Sequence, residues 1–246
     1  MTEPLSATTP TIGAPEGARA AASAQWTGQG NAWVLSMGGE WRGHRATLPE
    51  TPGALAQGVV HFDTTVERPL HAWIMGANMN LPADISVTWA KVMPAHFHAR
   101  FSAMARRYRY VIYNDPIRPA HMAEEVTWNH RPLEIARMRE AARVLVGTHD
   151  FSAFRASQCQ AKSPVKTVHH LEIIEHGRFI VLDIRANAFL HHMVRNIAGV
   201  LMSVAAGERP VEWVREVLER GERRSGGVTA HPYGLYLIEV EYPTEF

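Results

Sequence analysis

Phe97-His-Ala-Arg-Phe-Ser-Ala-Met-Ala-Arg-Arg-Tyr-Arg-Tyr-Val-Ile-Tyr-Asn114 is the stretch whose reading decides the fold. From Arg106 to Tyr113, β-branched and aromatic residues dominate, which predicts a strand with side chains alternating between two faces. Arg106, Tyr108, Tyr110 and Ile112 then share one face, and Arg107, Arg109, Val111 and Tyr113 the other. Lys91, Arg100, Arg106, Arg107, Arg109 and Arg118 crowd together against one acidic residue, Asp115, although the formal net charge of the chain is only +1. Guanidinium groups beside flat rings suit a polyanion whose bases can be stacked on. The same pattern also describes an amphipathic strand with a solvated basic face.

Outward from this strand, Val59 to Thr65 and Ile85 to Val92 read as further strands. Pro132 to Gly147 predicts a helix with an apolar stripe from Leu133 to Leu145 and Gly147 as its C-terminal cap. Val168 to Ile174 and Phe179 to Ile184 read as a hairpin about Glu175-His-Gly-Arg178. Phe189 to Ala206 is a second helix, with Leu190, Met193, Ile197, Leu201 and Val204 at helical spacing and Gly207 at its end. Pro210 to Arg220 is a third helix, and Leu235 to Tyr242 closes the chain as a strand.

A chain of 246 residues, 46% of them hydrophobic, can bury a sizeable core as one large or two small α/β domains. Cys159 is the one cysteine, so no intrachain disulfide forms, and a reducing cytoplasm is the simplest setting. No apolar run approaches the ~20 residues of a membrane helix, so no membrane association is expected. Fourteen histidines raise the question of a metal. None of them sits in metal-ligand spacing, and no metal is expected.

Residues 1–57 read differently from the rest. Ala, Gly, Pro, Thr and Ser dominate, and the short apolar islands at Trp26 and at Trp33-Val34-Leu35 set up neither a helical period nor a convincing strand pair. A poorly ordered N-terminal segment is therefore expected over 1–57. An α/β region should follow over 58–246, divided into subdomains of about 58–130 and 131–246.

The 97–114 stretch resembles the motif of the bacterial tRNA pseudouridine synthase A family. The resemblance continues through Gly76-Ala-Asn-Met-Asn-Leu-Pro82, Asp150-Phe-Ser-Ala-Phe154, Asn187-Ala-Phe-Leu-His-His-Met-Val-Arg-Asn196 and Gly234-Leu-Tyr-Leu237, and covers roughly Val59 to the C-terminus. It implies an α/β (α+β) pseudouridine synthase fold, mainly an antiparallel sheet flanked by helices. It implies an isomerase that turns uridine into pseudouridine at positions 38, 39 and 40 of the tRNA anticodon stem-loop, as a homodimer and without a cofactor. By the same resemblance, Tyr108 would stack on the target uracil, with Arg106, Arg107, Phe154 and Lys166 as further RNA contacts. Arg195 would support the family's catalytic aspartate, since an arginine fork holds a carboxylate ionised and oriented.

That aspartate is missing. The family carries it in an Arg-Thr-Asp-Ala-Gly segment just ahead of the strand that here is Val59-Val-His-Phe62, and the residues upstream are Thr47-Leu-Pro-Glu-Thr-Pro-Gly53 instead. Glu50 falls at the position when counted without a gap, but neither flank matches, so the nucleophile is unassigned. The alternative expectation is a catalytically inactive tRNA-binding relative. Because the resemblance starts abruptly at an internal strand, a misread gene product lacking the nucleophile also fits the pattern.

Overall fold

The computed structural model describes residues 31–39, 56–64, 67–81 and 85–246, with side chains from residue 59 onward within those ranges. Strand β4 (Ala105–Asn114) lies at its centre because both edges are paired. β8 (Phe179–Ala186) runs antiparallel along one edge. The other edge is shared, with β9 (Leu235–Glu241) antiparallel from Ala105 to Tyr110 and β5 (Thr127–Asn129) parallel from Ile112 to Asn114. β7 (Val165–His176) and β6 (Gly147–Asp150) extend the sheet antiparallel beyond β8. The result is the mainly antiparallel α+β architecture expected from the sequence, and β4 joins strands on both sides of residue 130.

Where β9 gives way to β5, the Val111 N–H donates to the Gly234 carbonyl at 2.8 Å. Gly234 has a φ of +86°, and a Cβ there would lie 2.3 Å from the Val111 oxygen. Conformation and space therefore both require glycine.

The face of β4 carrying Tyr110 and Ile112 packs beneath α2 (Ile135–Arg143), α3 (Met193–Ala205) and α4 (Trp213–Arg220). Met138, Leu145, Phe151, Phe154, Ile197, Leu201, Val214 and Val217 complete this core. Val111 and Tyr113 point the other way, into a smaller cluster with Val126, Val181 and Tyr236. All three expected helices are shorter than the sequence expectation, the last beginning at Trp213 rather than Pro210. α3 begins at Met193 rather than Phe189, because His192 adopts a left-handed conformation with φ 62°. α2 ends at Arg143, and Gly147 is not its cap but turns the chain into β6 with a φ of +112°.

A second sheet places β1 (Asn31–Gly39) between β2 (Ala56–Thr64) and β3 (Ile85–Met93), antiparallel to both. β1 lies within 1–57, where the sequence shows no strand pair; its apolar island is too short to display a period of two, and it is partnered strands on both edges that define it. The rest of 1–55, including Glu50, lies outside the described residues. α1 (Leu70–Asn80), which no periodicity announces, buries no side chain. Asn78 docks it instead: its amide donates to the Val87 carbonyl at 3.0 Å, and its oxygen accepts the Val87 N–H at 2.6 Å, so a side chain replaces a missing strand at the edge of β3.

On the face of the main sheet opposite Tyr110, Asp183 of β8 sits opposite Arg109 and is fully buried. Arg107 grips it with two hydrogen bonds, at 2.6 and 3.0 Å, and Arg109 adds a third at 2.9 Å. Burial alone would raise the Asp183 carboxyl, but these hydrogen bonds outweigh it and hold the group below the usual carboxylate range. A carboxylate depressed in the folded state contributes stability that is present above its unfolded value, near 3.9, and is lost as pH falls through the folded value. Asp183→Asn should therefore cost about 3 kcal/mol in urea unfolding at pH 7, the low end for breaking a buried pair because Arg107 and Arg109 remain partly solvated. The gap between the variant and the wild type should shrink as pH drops below about 4.

Candidate active site

Tyr108 stands on the helix-covered face of β4, half-buried, its ring meeting Phe189 edge-on with centroids 5.0 Å apart. Burial raises its phenol, against the opposing pull of Arg106, so it is an uncharged ring at neutral pH. Two residues on, the fully buried Tyr110 donates its hydroxyl to the His231 carbonyl at 2.7 Å and lies against the Thr127 hydroxyl. This bond ties the segment around His231 to the sheet.

Arg195, in the first turn of α3, faces that segment. Its Nε donates to the Ala230 carbonyl at 2.8 Å, and its own carbonyl accepts the Ala230 N–H at 3.1 Å. Burial lowers its affinity for the proton while Tyr110 beside it acts the other way, and a guanidinium so placed stays charged. Among the described residues no carboxylate pairs with it. His192 is lowered by burial and then by His191, Arg195 and Arg223; His231 is lowered by burial and then by Arg195. Both imidazoles are therefore neutral at pH 7, and Arg195 carries the charge. A half-buried cation on the same side of the sheet as an aromatic ring is equipped to hold an anion near a stacked base.

The support behind Arg195 is polar and buried. The Asn196 amide donates to the Phe154 carbonyl at 2.7 Å, and its oxygen accepts from Arg223 at 3.1 Å and from the Thr229 hydroxyl at 2.7 Å. Close approach completes it, since a Cβ on Gly199 would lie 2.0 Å from the Val228 carbonyl oxygen.

The structure brings Tyr108 and Arg195 to the same side of the sheet and separates them from other expected contacts. Arg107 is on the opposite face, held by Asp183 with Glu239 3.8 Å away. Phe154 is fully buried in the core, edge-on to Phe151 at 5.8 Å. Arg106 donates to the carbonyls of Arg100, Ala103 and Asn187, which makes it a clamp between two loops. Lys166 lies at the start of β7 with its ammonium on the Ser163 and Val165 carbonyls, at 2.6 and 3.0 Å. Arg106, Arg107 and Arg109 of the basic run are thus occupied inside the protein, while Lys91, Arg100 and Arg118 are exposed, Lys91 with its ammonium on the Phe246 carbonyl. His192, Asn196, Arg223 and His231 escaped the sequence reading. The adjacent histidines and the 187–196 motif were the only signals, and neither discloses a left-handed residue or a partner thirty residues away.

Cys159, which has no activating neighbour in sequence, gains some in space. Burial would raise its thiol, but the N–H groups of His191 and Ala161 and the nearby Arg155 bring it below the ordinary value. Among the described residues no group of His, Cys, Asp and Glu could hold a metal, and no helix is long and apolar enough to cross a membrane.

A family model described as tRNA pseudouridine synthase matches residues 141–243. Over 188 residues, 76% of this chain, the sequence is 82% identical to the tRNA pseudouridine synthase A of Pseudomonas aeruginosa, covering 66% of that protein. It is 59% identical to the protein of that name from Alcanivorax borkumensis, covering 70% of it, and 56% identical to the one from Actinobacillus succinogenes, covering 71%. The chain thus spans about two thirds of the length of the curated relatives it matches, and the matched length equals that from Val59 to Phe246.

Gly199→Ala should force the 228–230 segment off α3 and lower stability by about 1–3 kcal/mol in denaturant unfolding, as overpacking does. A variant as stable as the wild type would show that this approach does not hold Arg195 in place.

Proposed function

Because the chain belongs to the bacterial tRNA pseudouridine synthase A family, we propose that it isomerises uridine to pseudouridine at positions 38, 39 and 40 of the tRNA anticodon stem-loop. The bond from the sugar to N1 breaks, the base turns in the pocket, and C5 bonds to the sugar. C5 loses a proton and N1 gains one, so the change is a net isomerisation. The target nucleotide must leave the helical stack to reach the cleft. Tyr108 supports the uracil by stacking. Arg195 orients the carboxylate that acts on the sugar or the base.

The observation that carries this reading is the half-buried Arg195 guanidinium, beside Tyr110 on the sheet face that also carries Tyr108 and without a carboxylate partner among the described residues. The carboxylate it would orient lies outside those residues, and Glu50 is the first to test. tRNA as substrate follows from the relatives' name, and a homodimer acting in the cytoplasm completes the reading.

The test is pseudouridine formation on an unmodified anticodon stem-loop, with RNA affinity measured alongside. Wild-type turnover should fall by about a hundredfold or more in Arg195→Ala while RNA affinity changes little, as expected for loss of an electrostatic contact at the reacting centre. Tyr108→Ala should lower both turnover and affinity. A Glu50→Gln variant as active as the wild type removes Glu50 from consideration. Salt-sensitive RNA binding without any turnover would identify an inactive tRNA-binding relative, the outcome that a missing Arg-Thr-Asp segment would produce.

A further inference from the structure

The loop that precedes β4 presents a ring to solvent. Phe101 is 74% exposed. The His98 ring lies 4.2 Å from it, tilted by 39°, and the Arg100 guanidinium carbon is 5.6 Å from its centroid. An exposed phenylalanine on a slack loop would mean little, but this loop is braced throughout. His98 Nδ1 accepts the N–H groups of Arg100 and Phe101, at 3.1 and 3.3 Å. The His98 N–H donates to the Ser102 hydroxyl at 2.9 Å, and the Ser102 N–H donates back to the His98 carbonyl at 2.8 Å. His61 Nδ1 accepts the Ala99 N–H at 3.2 Å, and the Tyr242 hydroxyl donates to the Ala99 carbonyl at 2.8 Å.

Arg106 closes the loop and ties it to the segment that leads to α3. Its guanidinium holds the carbonyls of Arg100 and Ala103 on one side and that of Asn187, in the segment leading to α3, on the other. Arg106 and Tyr108 are successive residues on one face of β4. No acidic residue occurs between Asp84 and Asp115 in the sequence, and Arg100 is the cation placed beside the ring.

We propose that Phe101, backed by His98 and flanked by Arg100, is a stacking platform for an unpaired nucleobase next to the target nucleotide, held beside the Tyr108 cleft by the Arg106 clamp. The inference rests on the tRNA reading above. A rigid exposed ring with a cation at its side fits a base and the phosphate beside it.

Binding of an unmodified anticodon stem-loop to the full chain, followed by fluorescence anisotropy across a salt series, tests it. Phe101→Ala should weaken binding by about five- to a hundredfold without changing the salt dependence, as loss of base stacking does. Phe101→Trp should retain wild-type affinity. Arg100→Ala should reduce the salt slope by about one, as loss of a phosphate contact does. The ring is exposed, so the Phe101 variants should melt with the wild type. RNA affinity of Phe101→Ala within about twofold of wild type, well inside the loss expected for stacking, overturns the proposal. If that variant also sediments as a smaller species, the ring belongs instead to a contact between copies of the chain. A wild-type chain that binds no RNA overturns both this inference and the tRNA reading; wild-type binding that ignores Phe101 overturns this one alone.

Discussion

A carboxylate sealed from water between two arginines is the constraint on which the rest depends. Asp183 has no solvent to fall back on, so Arg107 and Arg109 must both reach it, and they can do so only when β4 and β8 pair in one register. A one-residue slip would turn every β4 side chain over. Arg107 and Arg109 would enter the apolar core, and Tyr108 and Tyr110 would leave it. The buried ion pair therefore acts chiefly as a register pin, and its consequence is that Tyr108 stands on the helix-covered face of β4.

The site on the other face is assembled by backbone contacts rather than by charge pairs. Tyr110 holds His231, Arg195 holds Ala230, and Asn196 binds Arg223, Thr229 and the Phe154 carbonyl. Glycines at 199 and 234 let main chains approach where any side chain would collide. Satisfied buried polar groups of this kind are rigid, because a rotated side chain would leave a donor or acceptor without a partner. Rigidity matters here because Arg195 reaches its position from a helix and Tyr108 from a strand. Residues 228–231, together with the packing of α3 on β4, relate the two.

The same economy explains why local charge is a poor guide to the RNA-facing surface. The run from Lys91 to Arg118 reads as a basic patch. In the fold, two of its arginines neutralise Asp183, and a third braces the Phe97–Met104 loop through carbonyl oxygens. Lys91, Arg100 and Arg118 remain outward, and of these Arg100 stands beside an exposed ring, a smaller but better-directed feature than the sequence count conveys.

Much was legible from residues alone. The alternating aromatic strand at 106–113, the apolar stripes at 132–147 and 189–206 and the 175–178 turn pointed to the fold class, since periodicity and turn chemistry are local properties, and the motifs from Val59 onward pointed to the family. Tyr108 and Arg195 were found by motif, and the fold joins them on one side of the sheet. Tertiary structure alone decided which arginines face inward, that Phe154 is core, and that α3 starts after a left-handed His192. It also decided that Asn31–Gly39 is a strand and that Asn78 stands in for a missing one. Each of these depends on a partner distant in sequence, which no local pattern encodes: burial and hydrogen-bond satisfaction are settled only when the partner arrives.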